Sequence, residues 1–368
     1  MTLQATLLLP PEEADSRSDD FQQLERFDSP PEPAASDDRR TALKDFDPML
    51  APYRESSAAR SIWQLASTFS LFVLLNVVIY ASLSYSYWPA VVLIPFAALL
   101  TVRLFIFQHD CGHRSFFKSK KWNDRIGFAL GILTLTPYEF WRRTHASHHA
   151  TSGDLDRRGK SGEIYTMTVK EYQNASWIKR LFYRIYRNPL VLFGVGPFFQ
   201  FAIRQRFAFE LPKAWKKERR SVYWTNLGIL LLAALMCWLV GPLNFLIVQL
   251  CISAMASSIG VWMFYMQHQY EDAFWEHSHD WDYVQAALDG SSYYRLPKVW
   301  QWFTGNIGLH HVHHLDSRIP NYNLQDCHDR NPELQDVNEF SFLESLSCAN
   351  VRLWDEEQGR MVGFHAAR

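Results

Sequence analysis

Four long apolar stretches dominate the chain, over residues 62–83, 88–107, 224–240 and 243–267. A helix needs about 20 apolar residues to cross about 30 Å of hydrocarbon. The pattern therefore predicts four transmembrane helices, although buried helices of a large soluble protein would show a similar pattern. The only charged residue among them is Arg103, near one end of its stretch, where a long side chain can reach the membrane interface.

The links between these stretches predict two hairpins and an orientation. Residues 84–87 (SYSY) join the first two stretches, and residues 241–242 (GP) join the last two. Lysine and arginine gather at the opposite ends, in KSKKWNDR and KAWKKERR. Because basic loops face the cytoplasm, we expect both termini there, together with residues 108–222 and 268–368. Two shorter apolar segments, 126–137 and 189–203, are expected to lie in the membrane interface.

Charge and composition separate the N-terminus from the rest of the chain. The first 60 residues carry 13 Asp and Glu against 7 Lys and Arg. Segments such as PPEEADSRSDD are too poor in apolar residues to offset the entropy of ordering. We therefore expect a disordered acidic tail over residues 1–45. The body of the chain has no phosphate-binding glycine loop, and no nucleic-acid partner is expected.

Nine of the 14 histidines form three clusters, HDCGH, HASHH and HHVHH. Residues three or four apart on a helix share a face, and each cluster contains such spacings. A tenth histidine ends the fourth apolar stretch, at the same predicted side of the membrane. The candidate metal ligands are His109, His113, His145, His148, His149, His268, His310, His313 and His314. The remaining cluster member, His311, points about 100° away from His310 on a helix.

Imidazoles in this number predict a site for two metal ions. Neutral imidazole suits zinc, copper, iron or nickel rather than magnesium or calcium, and one zinc ion needs only four donors. The five cysteines form no CxxC pair, so a cysteine-based zinc site is not expected. The fold class that follows is an all-α integral membrane protein, with four transmembrane helices in two hairpins and a cytoplasmic helical cap that carries a di-metal site.

The three clusters, in their order along four spans, resemble the histidine boxes of the membrane fatty acid desaturases. The segments WRRTHASHHATSGDLDRRG, FYMQHQYEDAFW and TGNIGLHHVHHLDSRIPNYNL are similar to the acyl-lipid branch that contains delta-12 and omega-3 desaturases. The resemblance implies that the nine histidines named above bind two irons. It covers roughly residues 50 to 335, so we expect a desaturase domain over 46–335 and a cytoplasmic extension over 336–368.

The resemblance also implies the reaction and its partners. Such an enzyme uses O2 to introduce a cis double bond into an acyl chain, with electrons from a ferredoxin or a cytochrome b5 type of donor. The substrate, an acyl lipid or another acyl-chain carrier, should enter from the surrounding membrane lipid. Aromatic side chains that could line its path are Phe116, Phe117, Tyr138, Phe140, Trp141, Trp262 and Tyr265.

Polar residues near the clusters are candidates for orienting the ligands through the second ring nitrogen. They are Asp110, Asp154, Asp156, Asn306, His311 and Asp316. Asn306 lies four residues before His310, so on a continuous helix it would share the face of that ligand and could hold a bound water.

Other functions stay open at this stage. A related membrane di-iron hydroxylase, an acetylenase, or a carotenoid ketolase or hydroxylase would carry the same boxes. A non-catalytic membrane metal-binding protein, such as a transporter or a sensor, is a more remote alternative, since transporters usually place ionisable residues inside the membrane. A structural zinc site in a membrane adaptor would need only four ligands.

Overall fold

The structure is a computed structural model that describes residues 43–159 and 163–367. The acidic tail expected over residues 1–45 lies, as far as residue 42, outside the described residues. Most of the described chain is helical, and four helices are long and apolar enough to cross a membrane. The prediction of a mostly helical protein with four membrane-length helices is confirmed.

The helices of six or more residues carry labels in chain order. They are α1 (Ala58–Ser82), α2 (Trp88–His113), α3 (Lys120–Leu133), α4 (Tyr138–Thr151), α5 (Val169–Asn174), α6 (Trp177–Tyr186), α7 (Lys216–Val240), α8 (Pro242–His268), α9 (Tyr283–Leu288), α10 (Lys298–Phe303), α11 (His310–Leu315) and α12 (Asn321–Arg330). Between α6 and α7, π and α turns follow one another as Val191–Val195, Gly196–Phe198 and Phe199–Ile203. Shorter helical turns are Asp47–Leu50, Ala51–Tyr53, Arg204–Arg206, Pro332–Leu334, Phe342–Ser345, Leu346–Asn350 and Phe364–Ala367.

The membrane-length helices form the two expected hairpins, α1 with α2 and α7 with α8. The turn between α7 and α8 is a single residue, Gly241, whose φ of 83° suits glycine because it has no Cβ. Pro242 then occupies the start of α8, where its missing N–H costs nothing. The α1 helix begins after Ser57, whose hydroxyl accepts a hydrogen bond from the backbone N–H of Arg60.

Three of these helices continue beyond the apolar stretch that predicts them. The second stretch ends at residue 107, but α2 runs on to His113, and α8 ends at His268. The α7 helix begins at Lys216, inside the basic segment that precedes its apolar stretch. Candidate ligands therefore lie on the same rigid helices that form the predicted spans.

The α2 helix lies at the centre of the fold, in contact with α1, α3 and α8. Arg103, the charged residue of the second apolar stretch, is buried within the fold rather than exposed as the sequence suggests. The guanidinium donates to the hydroxyl of Thr68 at 3.0 Å and to the backbone carbonyl of Trp302. It also lies over the rings of Phe107 and Trp302. The arginine thus ties α1 and α2 to α10.

Five short strands, which the sequence does not predict, join distant parts of the chain. They are β1 (Met167–Thr168), β2 (Tyr293–Tyr294), β3 (Glu339–Phe340), β4 (Leu353–Asp355) and β5 (Arg360–Val362). β1 pairs in parallel with β4, which pairs antiparallel with β5, and β2 pairs in parallel with β3. The last 30 residues of the described chain are therefore integrated into the fold.

We call residues 114–215 and 269–367, as far as they are described, the cap. At its centre lies Arg187, which is only 1% exposed. Its guanidinium donates to the hydroxyl of Tyr265 and to Oε1 of Gln269, both at 3.0 Å, and to the carbonyl of Val351 at 3.1 Å. The end of α8 is thereby held to the C-terminal strands, which fixes the cap over the histidine-bearing end of the spans.

Candidate metal centre

Four helices bring the nine candidate ligands together. Two of the histidines lie on the last turns of α2, one lies at the end of α8, and three lie on each of α4 and α11. The short helix α11 is entirely buried from His310 to Leu315. The nine side chains form two adjacent groups in which the ring nitrogens converge.

The first group contains five histidines, with one ligand atom from each lying within 4.8 Å of all the others. They are His109, His113, His145, His149 and His313. The Nε2 atom of His149 lies 3.1 Å from Nε2 of His145 and 3.0 Å from Nε2 of His313. These atoms are close enough to share one metal ion.

The second group contains four buried histidines that meet the same distance criterion. They are His148, His268, His310 and His314. The Nε2 atom of His268 lies 3.2 Å from Nε2 of His148 and 2.9 Å from Nε2 of His310. His268, which stands outside the three clusters in the sequence, is the meeting point of this group.

Two helices serve both groups, because successive residues on a helix point about 100° apart. On α4, His145 and His149 belong to the first group while His148 belongs to the second. On α11, His313 belongs to the first group, whereas His310 and His314 belong to the second. The two candidate metal positions are therefore adjacent, and both depend on the placement of α4 and α11.

The donor atoms fit a transition metal. With metal–nitrogen distances of about 2.0–2.1 Å, adjacent ligand atoms around one ion lie roughly 3 Å apart, as the ring nitrogens in both groups do. Burial lowers the pKa of His148, His149 and His314, with a further contribution from neighbouring imidazoles, so these rings are neutral donors. Both groups consist of histidine alone, which favours iron, zinc, copper or nickel over oxygen-preferring ions.

Hydrogen bonds to the second ring nitrogen orient two of the ligands. His268 donates from Nδ1 to the carbonyl of Gly290 at 2.9 Å, which leaves Nε2 free to bind a metal. His109 places Nδ1 3.3 Å from Oδ1 of Asp110. The other carboxylate oxygen of Asp110 accepts from the backbone and side-chain nitrogens of Asn321, each at 2.8 Å. Of the predicted orienting residues, Asp110 is the one whose carboxylate contacts a candidate ligand.

Two of the other predicted aspartates hold a loop. Asp154 accepts from the hydroxyl of Ser278 at 2.9 Å and pairs with Arg157. Asp156 pairs with His277, with 2.9 Å between Nδ1 and Oδ1. The hydrogen bonds and ion pairs described for these carboxylates involve loop residues rather than the nine histidines.

Asp316 and His311 also point away from the candidate ligands. The fully buried Asp316 pairs with Arg54 at 2.6 Å and with Arg318 at 2.8 Å. His311 places Nε2 3.0 Å from the carbonyl of Leu334 and 3.2 Å from Nδ1 of His328. Burial lowers the pKa of His311 to about 3. Both residues therefore support the shape of the cap around α11.

The helical face expected to join Asn306 to His310 does not exist, because α11 begins only at His310. Asn306 lies in a turn with a φ of 57°, a conformation that asparagine tolerates better than most residues. Its side-chain amide donates to the carbonyl of Asn321 at 3.2 Å. Among the hydrogen bonds described, Asn321 thus links it to Asp110.

Three residues near the two groups could not be recognised from the sequence pattern. Asn321 and Gly290 act through contacts that join distant segments. Glu163 is 5% exposed and borders a small cavity beside His148 and His268. Burial raises its pKa to about 8. A single glutamate in a loop carries no periodic or motif signal, so only the fold can reveal it.

A larger cavity of about 230 Å³ adjoins both groups. The candidate ligands in its wall are His109, His145, His148 and His310. Its apolar walls come from α2, α4 and α8, and include Phe105, Ile106, Trp141, Val261, Met263 and Phe264. Of the aromatic residues predicted to line a substrate path, Trp141 borders this cavity, and its ring stacks on His145 with centroids 4.5 Å apart.

Paired imidazole groups beside an apolar cavity are the arrangement of a membrane metalloenzyme that acts on a hydrocarbon chain. The profile of the family described as Fatty acid desaturase matches residues 86–342. The chain belongs to the fatty acid desaturase family, and it is a membrane protein and an oxidoreductase of lipid metabolism.

Individual relatives agree with this assignment. The chain is 45% identical over 325 residues to a "Fatty acid desaturase" of Bacillus subtilis, covering 88% of this chain and 92% of that protein. It is 28% identical over 227 residues to an "sn-1 acyl-lipid omega-3 desaturase (ferredoxin)" of Synechocystis, covering 60% and 61%. A Nostoc protein of the same description is 30% identical over 234 residues, covering 60% and 61%.

Proposed function

We propose that this protein is an O2-dependent di-iron desaturase that introduces a cis double bond into the acyl chain of a lipid. The observation that carries the proposal is that histidines of both groups border one largely apolar cavity, which is also lined by residues of α2 and α8. Relatives described as acyl-lipid desaturases support the choice of substrate.

Iron is the metal that we propose for the two groups, with the nine histidines as its ligands. Removing hydrogen from an unactivated methylene needs an oxidant that no side chain provides, and iron with O2 supplies it. Each turnover removes two hydrogens from the acyl chain and takes two electrons and two protons from outside, so that O2 is reduced to two waters. The cavity wall holds the chain beside the site and excludes bulk water from it.

The electrons must come from a partner protein, and we propose a ferredoxin or a cytochrome b5 type of donor. Relatives from Synechocystis and Nostoc carry "ferredoxin" in their descriptions. The chain itself has no nicotinamide or flavin fingerprint and no cysteine set for an iron–sulfur cluster in its sequence. We also propose residues 46–335 as the desaturase domain, followed by the extension over 336–368.

Fatty acid analysis of an expressing host tests the reaction. In a host without unsaturated chains at the same position, expression should produce a new double bond at one carbon position. Purified protein should contain about two irons per chain, and chelation should abolish turnover. Hydroxylated or keto products would instead indicate a related oxidation, and stoichiometric zinc or copper without iron-dependent activity would exclude the di-iron proposal.

We further propose that both termini and the cap face the cytoplasm. The basic segment KSKKWNDR follows the cap-side end of α2, and KAWKKERR runs into the cap-side end of α7. The positive-inside rule places such segments in the cytoplasm. A reporter that works only in the cytoplasm, fused to the C-terminus, should be active. Activity of a reporter that requires export, at the same position, would reverse the orientation.

A further inference from the structure

The cavity beside the histidines has a polar wall that the proposed reaction does not use. This wall comes from the helical segment that follows α6, which contributes the polar Gln200, Arg204 and Gln205 together with the apolar Phe198, Phe201 and Ala202. Arg206, the next residue, donates to the carbonyl of Leu135, which lies in the turn between α3 and α4. The neighbouring carbonyl of Thr136 accepts from Gln108 on α2 at 3.2 Å. A chain of contacts thus connects Arg206, which follows this wall, to Gln108, the residue before His109.

Gln205 has an unmet hydrogen-bonding capacity. Its side chain is only 5% exposed, and in the described part of the chain its Oε1 atom is buried without a hydrogen-bond partner. Leaving a buried polar atom unpaired is unfavourable, because the atom has lost its hydrogen bonds to water. The amide has both an acceptor oxygen and a donor nitrogen. Gln205 also borders the cavity, so a polar group bound there is a candidate partner for its amide.

A cation lies next to this amide in a fixed orientation. Arg204 donates from Nε to Oε2 of Glu210 and from Nη1 to Oε1 of Gln200, both at 3.0 Å. Its side chain is 15% exposed. These two hydrogen-bond partners limit the rotation of the guanidinium and hold it at the cavity wall. A planar guanidinium held in one orientation can donate hydrogen bonds to a phosphate or to an ester oxygen.

Several other hydroxyl groups along the cavity have partners within their own helices, as Ser253 does by accepting from Gln249 at 3.1 Å. Thr101 and Ser257 also border the cavity, and their hydroxyls donate to the carbonyls of Ala97 at 2.9 Å and of Ala254 at 3.0 Å within their own helices. Thr101 precedes His109 by eight residues of α2, or about 12 Å at 1.5 Å per residue. The cavity therefore extends along α2 from His109 to Thr101, and the polar residues of the segment after α6 line the same space.

We propose that Gln205, with Arg204 beside it, holds the polar end of the acyl substrate and so determines which carbon–carbon bond lies at the metal site. This inference rests on the proposed function. The amide of Gln205 would bind the ester group, Arg204 would bind a phosphate of the carrier, and the hydrocarbon would extend past the histidines toward Thr101. Fixing the ester fixes the number of carbons between it and the reacting bond. The chemistry required is an acyl ester or thioester with a phosphate-bearing head, which a glycerophospholipid or an acyl-CoA provides.

Four proteins expressed in the same host test the positioning role: the wild type, Gln205→Met, Gln205→Asn and Gln64→Met. Gln64, on α1, also has a buried Oε1 atom without a described partner but does not border the cavity, which makes it a matched control. Conversion by Gln205→Met should fall about five- to tenfold, with double bonds spread over neighbouring positions. Gln205→Asn, which keeps the amide, should recover part of the conversion. Iron content should be equal in all four.

The outcomes separate this proposal from the proposed function. If the wild type forms double bonds and Gln205→Met matches it in conversion and in position, the positioning role is wrong and the desaturase proposal stands. If the wild type forms none although it contains iron, the desaturase proposal fails. Purified protein with O2, reduced ferredoxin as the electron donor and either dipalmitoyl-phosphatidylglycerol vesicles or palmitoyl-CoA identifies the carrier. Arg204→Met should lower turnover only with the carrier that is used. Equal turnover of wild type and Arg204→Met with the accepted carrier would remove Arg204 from the proposal.

Discussion

Replacing His148 or His149 with alanine should reduce turnover to background and leave about one iron per chain. The two residues are adjacent on α4, yet His148 belongs to the second group and His149 to the first. Loss of a residue that merely orients a ligand typically costs 10- to 100-fold in metal affinity or activity, so loss of a ligand should cost more. Metal analysis and fatty acid profiling of the two purified variants measure both effects.

The spectra of the residual iron should differ between these variants, because a different group remains complete in each. His279→Ala is the matched control, since His279 is an exposed residue of the cap that pairs with Asp280. It should keep two irons and full turnover. Membrane insertion should be normal in all three variants. Full turnover with two irons in either α4 variant would show that the ligand assignment is wrong.

The membrane-length helices could be predicted from the sequence because apolar runs of that length have few other uses. Their ends could not, since a helix continues as long as its backbone hydrogen bonds are favourable, whether or not the side chains are apolar. The α2 helix therefore extends six residues beyond its apolar stretch, to His113. The burial of Arg103 could not be predicted either, because its hydrogen-bond partners lie on α1 and at the end of α10.

The candidate ligands could be named from spacing, but their division between two groups could not. HASHH and HHVHH read as two similar triplets, yet α4 gives two histidines to the first group and α11 gives two to the second. That division depends on the rotation of each helix about its axis, which packing decides. The spacing of Asn306 and His310 is equally ambiguous. It would place both on one face of a continuous helix, but the chain forms a turn at Asn306.

The residues around the site depend still more on tertiary contacts. Four aspartates near the histidine clusters are equivalent candidates in the sequence. Among the contacts that the structure describes, only Asp110 contacts a candidate ligand. Its partner Asn321 lies more than 200 residues away along the chain. Gln205 gave no signal at all, because an unpaired buried amide is recognisable only once the cavity beside it is known.

Replacing Asp110 with asparagine should weaken iron binding by the first group about 10- to 100-fold while the second group keeps its iron. Asp110 is 2% exposed, and its Oδ1 atom faces Nδ1 of His109 at 3.3 Å. The carboxylate fixes the imidazole ring and offsets part of the positive charge of a bound ion, and an amide does neither as well. Titration of the iron-loaded protein with a competing chelator measures the loss.

Asp154→Asn provides the comparison that makes this result specific. Asp154 is also 2% exposed, but its described partners are Ser278 and Arg157 in a loop. Its variant should release iron at the same chelator concentration as the wild type, even if its melting temperature falls. If Asp110→Asn behaves like Asp154→Asn, the contact with His109 has no role in holding the metal. If Asp154→Asn also releases iron early, general loosening of the cap explains both results, because that effect needs no contact with a ligand.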